Sequence, residues 1–238
     1  MFEYNGNKMD NRIKSAYLGR MSFLAQNNPV DSLTDHPADE DSWRGIDMGF
    51  IVADARESHI VSELRKAVAS AQKNNVFVIP IVIADKSLDL NVATLYINPQ
   101  NYATKDEIFT DIRFAIQSIY DILHTSGLVD LDVSSIKAVL NDKGNLFLAS
   151  GEGKGEDGYM QAGKEALERL SVLCSRKHAK GIVLNIIGNE DTLSIMEIME
   201  TTELVHDWVE NNDCTILWGA SIDNTLKDEI RVFIIMHD

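Results

Sequence analysis

Residues 54–59 hold the side chains of this sequence that are best suited to binding a ligand. They follow an apolar run at residues 48–53, which is typical of a buried strand. The candidate site consists of five polar side chains: Asp54, Arg56, Glu57, Ser58 and His59. Open α/β sheets bind ligands at the carboxyl ends of strands, so Arg56 could hold an anion there and His59 could transfer a proton. Alternatively, Asp54 or Ser58 caps the next helix and the remaining side chains are merely solvated.

A second pattern with possible chemistry is the glycine-rich segment in the second half. Gly153, Gly155 and Gly158 match the dinucleotide-binding pattern G-x-G-x-x-G, between a predicted strand at residues 145–150 and a predicted helix. A nicotinamide-dependent oxidoreductase would use such a loop to hold a pyrophosphate. Three acids in or beside the loop oppose that anion: Glu152, Glu156 and Asp157. The acids would instead stabilise the N-terminus of the helix, which favours a structural role for the glycines.

Patterns for metal or nucleophile chemistry are absent from the sequence. The six histidines never approach one another at the spacing of metal ligands, and Cys174 and Cys214 each lack a neighbouring cysteine. No G-x-S-x-G elbow and no Walker A phosphate loop occurs. We therefore predict neither a metal site nor a catalytic nucleophile.

Charge and hydropathy restrict the partners and the compartment. Among 238 residues, 22 Lys and Arg stand against 37 Asp and Glu, and a net charge of -15 argues against nucleic acid and membrane surfaces as partners. The longest apolar run, at residues 76–84, is far shorter than the roughly 20 residues that cross a bilayer. The first residues lack the apolar segment of a secretory signal, and two cysteines cannot form a disulfide framework. We expect a cytoplasmic protein.

Hydrophobic periodicity predicts the elements that position these residues. Those of the first half are a helix over 11–26, a polar loop over 27–41, strands over 48–53, 76–83 and 94–97, and a helix over 58–72. The alternation is typical of parallel strands joined by crossover helices. A long amphipathic helix is predicted over 105–125, well placed to join two domains.

The second half is predicted to alternate strands and helices as well. Its elements are a strand, turn and strand around 142–144, a glycine loop over 151–158, a helix from about Met160 to Cys174, a helix over 192–209, and strands over 181–187, 215–221 and 230–236.

Four segments of the second half resemble a known family in order and spacing. They read Gly127-Leu-Val-Asp-Leu-Asp-Val-Ser-Ser-Ile-Lys, Gly151-Glu-Gly-Lys-Gly-Glu-Asp-Gly, Lys180-Gly-Ile-Val-Leu-Asn-Ile-Ile-Gly and Trp218-Gly-Ala-Ser-Ile-Asp-Asn-Thr-Leu-Lys-Asp-Glu-Ile-Arg-Val. Together they resemble the second half of FtsZ, the bacterial cell-division tubulin. The resemblance implies a tubulin/FtsZ-like α/β fold. Its parts would be a truncated Rossmann-like nucleotide-binding domain over 1–104, a central core helix over 105–126 and an α+β C-terminal activation domain over 127–238.

The first half departs from FtsZ where that family binds phosphates. FtsZ opens with a glycine-rich strand-to-helix loop, whereas Gly6 and Gly19 are the only glycines in the first forty residues here. The family's Gly-Gly-Gly-Thr-Gly-Thr-Gly signature should follow residues 48–53, yet residues 54–59 contain no glycine. Such glycines let backbone N–H groups approach phosphates closely. Alignment of the core helix also places Phe109 where FtsZ has the Asp that reads guanine, so we expect no nucleotide cofactor.

The loop that completes catalysis in FtsZ is altered too. In that family the loop enters the nucleotide pocket of the next subunit. Here the corresponding segment starts at Gly127 and carries Asp130, Asp132 and Ser135. Asp132 matches a family acid, but the hydroxyl of Ser135 replaces an acid thought to orient water. The resemblance therefore implies an interface loop without a catalytic residue.

These departures predict an FtsZ-like pseudo-GTPase that acts by protein–protein interaction. Its partner would be a second copy or an FtsZ/tubulin-like filament-forming relative in cell division or the cytoskeleton. The alternative is a divergent, polymerising GTPase that binds GTP in a pocket rebuilt from residues 54–59.

Overall fold

The first half of the chain folds as parallel strands. The computed structural model describes residues 12–26, 28–124, 127–129 and 131–238. Its first four strands are β1 (Ile13–Tyr17), β2 (Met48–Asp54), β3 (Phe77–Ile83) and β4 (Ala93–Ile97), and each pairs in parallel with the next. Helix α1 (Ser58–Lys73) makes the crossover from β2 to β3, and its apolar side chains are buried at the predicted spacing of three and four residues.

The first element is a strand, and the predicted helix over residues 11–26 is wrong. Residue 11 lies outside the described residues, Ile13–Tyr17 form β1, and Gly19–Ala25 form a short 3₁₀ helix. Apolar residues recur here at helical spacing, but β2 supplies backbone partners along the whole of β1. Pairing with a distant strand thus outweighed local periodicity. Gly19 makes the turn after β1 with a φ of +61°.

Helix α2 (Lys105–His124) confirms the predicted long helix. At about 1.5 Å per residue it is roughly 30 Å long. Its buried side chains include Ile108, Ile112, Ile116 and Ile119, which pack in one cluster with side chains of β2, β3 and β4. No helix within the described ranges is long and apolar enough to cross a membrane.

The second half adds five strands to the same sheet. Its elements are β5 (Gly127–Val129), α3 (Val133–Leu140), β6 (Gly144–Lys154), α4 (Gly158–Leu173), β7 (Gly181–Gly188), α5 (Ile195–Trp208), β8 (Thr215–Ile222) and β9 (Glu229–His237). The nine strands found among the described residues follow the order β1-β2-β3-β4-β6-β9-β7-β8-β5. β4 and β6 pair in parallel and join the two halves. The α/β class is confirmed, whereas the domain boundaries at residues 104 and 126 stay predictions.

Two predicted elements of the second half differ from the structure. The strand expected before the turn at residues 142–144 is helix α3, whose side chains Ile136, Val139 and Leu140 bury one face. The first half of the predicted glycine loop over 151–158 is strand, because β6 continues to Lys154. A Cβ at Gly153 would lie 1.9 Å from the carbonyl oxygen of Gly158, so this glycine allows β6 and α4 to touch. The geometry supports the structural interpretation of the glycine pattern.

Candidate functional site

A cavity of about 570 Å³ lies beyond the carboxyl ends of the parallel strands. This is the usual position of ligands in an open α/β sheet, and the volume is within the range of small-molecule sites. One part of the lining is apolar and includes Met21, Ile60, Ile83, Ile108 and Phe109. Another part is charged and consists of Arg20, Asp54, Arg56, Glu57 and Lys105. The cavity could therefore hold a compact molecule that carries both charge and apolar surface.

An ion pair inside the cavity joins Asp54 and Arg56. The Nε of Arg56 donates to Oδ1 of Asp54 at 2.7 Å, and an Nη of the same guanidinium contacts Oδ2. Burial raises the pKa of Asp54, but the hydrogen bonds and charge of Arg56, with the charge of Lys105, outweigh it and lower the pKa below its ordinary value. The guanidinium of Arg56 is thus already engaged by a carboxylate.

Only one of the other three members of the predicted site belongs to the cavity lining. Glu57 lines the cavity, but Ser58 and His59 are exposed and do not. Nε2 of His59 lies 3.6 Å from Oε2 of Glu57, and its side chain is 65% exposed. The N-cap of α1 is Glu57 and has no side-chain capping hydrogen bond, so the capping alternative for Asp54 or Ser58 is wrong.

Sequence reasoning missed several cavity residues that come from other elements. Arg20 follows Gly19 in the 3₁₀ helix, and Lys105 begins α2. Within the part of the chain that the structure describes, neither cation forms an ion pair within 4.0 Å. The hydroxyl of Tyr102 donates to Oδ2 of Asp111 at 2.8 Å, and burial together with that carboxylate raises the pKa of Tyr102. The position of Lys105 at the start of the predicted core helix could have indicated it as a cavity residue. Arg20 could not be recognised, because residues 11–26 were predicted to be one helix.

The predicted interface loop follows the other end of α2. β5 pairs antiparallel with β8, with Gly127 opposite Ser221 and Val129 opposite Ala220. Asp130 lies outside the described residues. Asp132 is the N-cap of α3, and its Oδ1 accepts hydrogen bonds from both the backbone N–H and the hydroxyl of Ser135, each at 2.7 Å. The Ser135 hydrogen bonds lower the pKa of Asp132.

A buried polar pair lies in the sheet near this loop. Asn185 of β7 is fully buried, and its Oδ1 accepts a hydrogen bond from the Ser221 hydroxyl at 3.1 Å. Its Nδ2 has no hydrogen-bond partner among the described residues. Neighbouring Gly219 lies so close to Leu131 that a Cβ would be 3.2 Å from its Cδ1. In the sequence, this pair is indicated only by Asn185, a single polar residue inside the apolar run of residues 182–187.

The family model described as "FtsZ family, C-terminal domain" matches residues 144–238. The chain resembles FtsZ. The FtsZ dimer from M. jannaschii superposes with a TM-score of 0.70 at 18% sequence identity, over 84% of this chain and 65% of that chain. This predicted resemblance to FtsZ is therefore confirmed.

Two CetZ structures share the fold. CetZ from Methanosaeta thermophila gives a TM-score of 0.62 at 14% identity, covering 81% of this chain and 61% of its own. The GDP-bound monomer of CetZ1 from Haloferax volcanii gives 0.61 at 10% identity, covering 81% and 64%. The chain thus spans less than two thirds of the length of the M. jannaschii FtsZ and of both CetZ proteins.

Proposed function

We propose that this chain is an FtsZ-like pseudo-GTPase of cell division or the cytoskeleton. It docks through the interface loop, defined as residues 127–135, onto a second copy or a filament-forming relative, and it hydrolyses no GTP. The observation that carries the proposal is the ion pair between Asp54 and Arg56 in the cavity. A triphosphate entering there would meet a cation that is already neutralised.

The backbone around the cavity also disfavours phosphate binding. Phosphate loops bind through bare backbone N–H groups, which glycine exposes most readily. Residues 54–59 all carry side chains, and the carboxylates of Asp54 and Glu57 line the cavity. Gly19 is one glycine with a suitable positive φ, but it is packed closely against the side chain of Ile60. Repulsion by the carboxylates of Asp54 and Glu57 and steric hindrance by the side chains at residues 54–59 therefore both disfavour nucleotide binding.

The described residues of the interface loop are held by backbone pairing and a helix cap, and they lack a complete catalytic set. Strand β5 ties its beginning to β8, and the cap of α3 fixes Asp132 and Ser135 to each other. A hydroxyl that is bound to Asp132 is a poor substitute for a carboxylate that orients water. The loop supports docking, therefore, and leaves hydrolysis unassisted.

A head-to-tail filament extends only while both faces of each subunit remain usable. This chain would offer its interface loop to the nucleotide face of a relative and present an altered face to the next subunit. We propose that it ends or shortens filaments in this way. The net charge of -15 opposes docking onto an acidic filament, so the effect should strengthen with salt.

The direct test adds substoichiometric protein to a polymerising FtsZ and records light scattering and phosphate release. We expect reduced scattering and lower GTP turnover, and the variant Asp132→Ala should lose the effect. The variant Asp142→Ala is a matched control, because this exposed acid lies beyond the C-terminal end of α3. Unchanged scattering and turnover at both low and physiological salt would contradict the proposal.

The second candidate is a divergent GTPase. The size of the cavity favours it, as do Arg20 and Lys105, two cations that have no ion-pair partner among the described residues. The GDP-bound CetZ1 with the same fold adds to this alternative. Titration calorimetry with GTP, GDP and ATP separates the two. Saturable GTP binding near one per chain, with phosphate release, would replace the pseudo-GTPase proposal. Under the pseudo-GTPase proposal, the cavity takes a small anion or a partner carboxylate in place of a nucleotide.

A further inference from the structure

The pairing of β4 with β6, called the seam below, is where the two halves of the sheet meet. The strands pair at three positions, and Thr94 lies opposite Asn145 at the middle one. On its other side β6 pairs with β9, and Leu146 of the seam lies opposite His237. A movement of His237 would therefore act on the seam directly.

The end of β9 holds the seam through Asp238. Oδ1 of Asp238 accepts a hydrogen bond from the backbone N–H of Asn145 at 2.8 Å and another from Nδ2 of the same residue at 3.2 Å. The backbone N–H of Asp238 donates to the carbonyl oxygen of Asn145 at 3.2 Å. The carbonyl oxygen of His237 accepts from the backbone N–H of Lys180 at 2.8 Å, just before β7. Asn145 is thus held between β4 and the end of β9.

The imidazole of His237 is enclosed beside these contacts. His237 is 1% exposed, and its Nε2 has no hydrogen-bond partner among the residues that the structure describes. Gly144 of the seam packs so tightly on this nitrogen that a Cβ would lie 2.7 Å from it. A neutral imidazole can leave Nε2 unprotonated, whereas an imidazolium donates from both nitrogens. Protonation would therefore bury a charged N–H against the seam without an acceptor, at a high cost in free energy.

The charged groups around His237 act in opposite directions. Burial lowers the pKa of His237 most, and the charge of Lys180 lowers it further. The carboxylates of Asp238 and Asp142 and the backbone of Lys143 raise this pKa, but they do not outweigh burial. The folded protein therefore keeps this imidazole neutral at pH values where a solvated histidine is already charged.

We propose that His237 is a pH-sensitive switch that controls opening of the seam. While the imidazole is neutral and buried, β9 stays paired and Asp238 holds Asn145. In an open form the ring reaches water and takes up a proton, so acid favours release of the end of β9 and of the seam. The proposal is independent of the interface loop and of the cavity.

The sign of the pH dependence follows from which form binds the proton. The open form is protonated below about pH 6.5 and the closed form only at lower pH, so the open fraction increases as pH falls through this range. Uptake of one proton increases it by at most about tenfold per pH unit. The increase ends where the closed form takes up the proton as well.

Hydrogen exchange of backbone N–H groups, measured by NMR in the unmutated protein, tests this switch. The protection factors of Asn145, Lys180 and Asp238 should fall between pH 7 and pH 5, whereas those of buried positions in α1, such as Leu64 and Val68, should stay constant. Constant protection at the seam would overturn the proposal. An equal fall in α1 would also overturn it, because the whole fold would then respond to acid.

Two histidine variants separate His237 from other titrating groups. His237→Gln should abolish the pH dependence of seam protection, because an amide does not titrate, even where exchange is faster at every pH. His178→Gln is the matched control, since His178 is exposed, and it should behave as the unmutated protein does. A pH dependence that persists in His237→Gln would overturn the proposal in favour of the carboxylates of Asp142 and Asp238.

A titration of the unmutated protein gives a test that requires no variant to fold. The ring C–H resonances of His237 should titrate at lower pH than those of exposed His178. Titration of His237 at the same or a higher pH would overturn the proposal, because the closed form would then accept the proton without opening.

Discussion

The regions at the two ends of helix α2 are stabilised by different interactions. At its N-terminal end, Lys105 and Phe109 line a cavity in which Arg56 is paired with Asp54. At its C-terminal end, the chain continues into a strand pairing and a capped helix, where Asp132 holds the backbone N–H and the hydroxyl of Ser135. Opposite charges thus stabilise the cavity end. Hydrogen bonds from neutral groups to Asp132 stabilise the loop end.

Under the proposed function, this difference explains why the chain keeps a docking loop although it hydrolyses no GTP. A phosphate loop uses bare backbone N–H groups, and the side chains at residues 54–59 oppose such a loop in the proposed pseudo-GTPase. In the proposed function the interface loop docks onto a partner, and strand pairing and a helix cap hold its described residues in place. Gly153 of the second half serves packing, because its contact with Gly158 leaves no room for a Cβ.

The largest expected effect tests that role of glycine. Gly153→Ala should lower the free energy of unfolding by about 3 kcal/mol, because its Cβ would lie 1.9 Å from the Gly158 carbonyl oxygen and β6 and α4 would have to separate. Gly155→Ala meets no atom within 4 Å but keeps a φ of +73°, so it should cost about 1 kcal/mol. Urea unfolding measures both. Equal losses would contradict the packing role of Gly153.

The next effect concerns the cap at the loop end. Asp132→Ala removes the acceptor of two 2.7 Å hydrogen bonds and should cost about 1–2 kcal/mol of stability. Asp132→Asn is the matched control, because asparagine caps helices nearly as well. Thermal unfolding compares the two variants. A loss as large for Asn as for Ala would show that the charge matters more than the hydrogen bonds.

A smaller effect concerns the ion pair at the cavity end. Arg56→Ala should cost about 1 kcal/mol, because Asp54, whose side chain is 21% exposed, would lose its partner. The same substitution in an Asp54→Asn background should cost less. Arg44→Ala provides the control, since the Arg44–Asp41 pair is 77% and 82% exposed and should contribute almost nothing. Urea unfolding of the unmutated protein, the two single variants, the double variant and the control measures the coupling, and additive losses would contradict it.

The smallest expected effect is a difference in how salt changes the pKa values of Asp54 and Asp132. Folded pKa values of Asp54 and Asp132 both lie below the ordinary value, so their stabilising contributions are present above about pH 4 and are lost as pH falls through the folded pKa. NMR titration at low and high salt should show the pKa of Asp54 rising toward its ordinary value, because salt screens Arg56. The pKa of Asp132 should change less, since its partner is neutral. The reverse order would contradict the comparison.

The sequence by itself determined the α/β class and most helices and strands. Periodicity over residues 58–72 and 105–125 predicted α1 and α2 almost to their ends, because an amphipathic helix carries its pattern locally. The absence of glycine at residues 54–59 and the acidic charge were likewise properties of the chain alone. Both properties led to the prediction that the chain binds no nucleotide phosphate.

Only the tertiary structure decided which residues meet. Residues 13–17 became a strand because β2 was available to pair with them, and that pairing brought Arg20 to the cavity. Lys105 joined the same cavity from a helix distant in sequence, whereas His59, itself one of the candidate residues, was left in solvent. The physical reason is that strand pairing and burial depend on partners far along the chain, which local patterns do not contain.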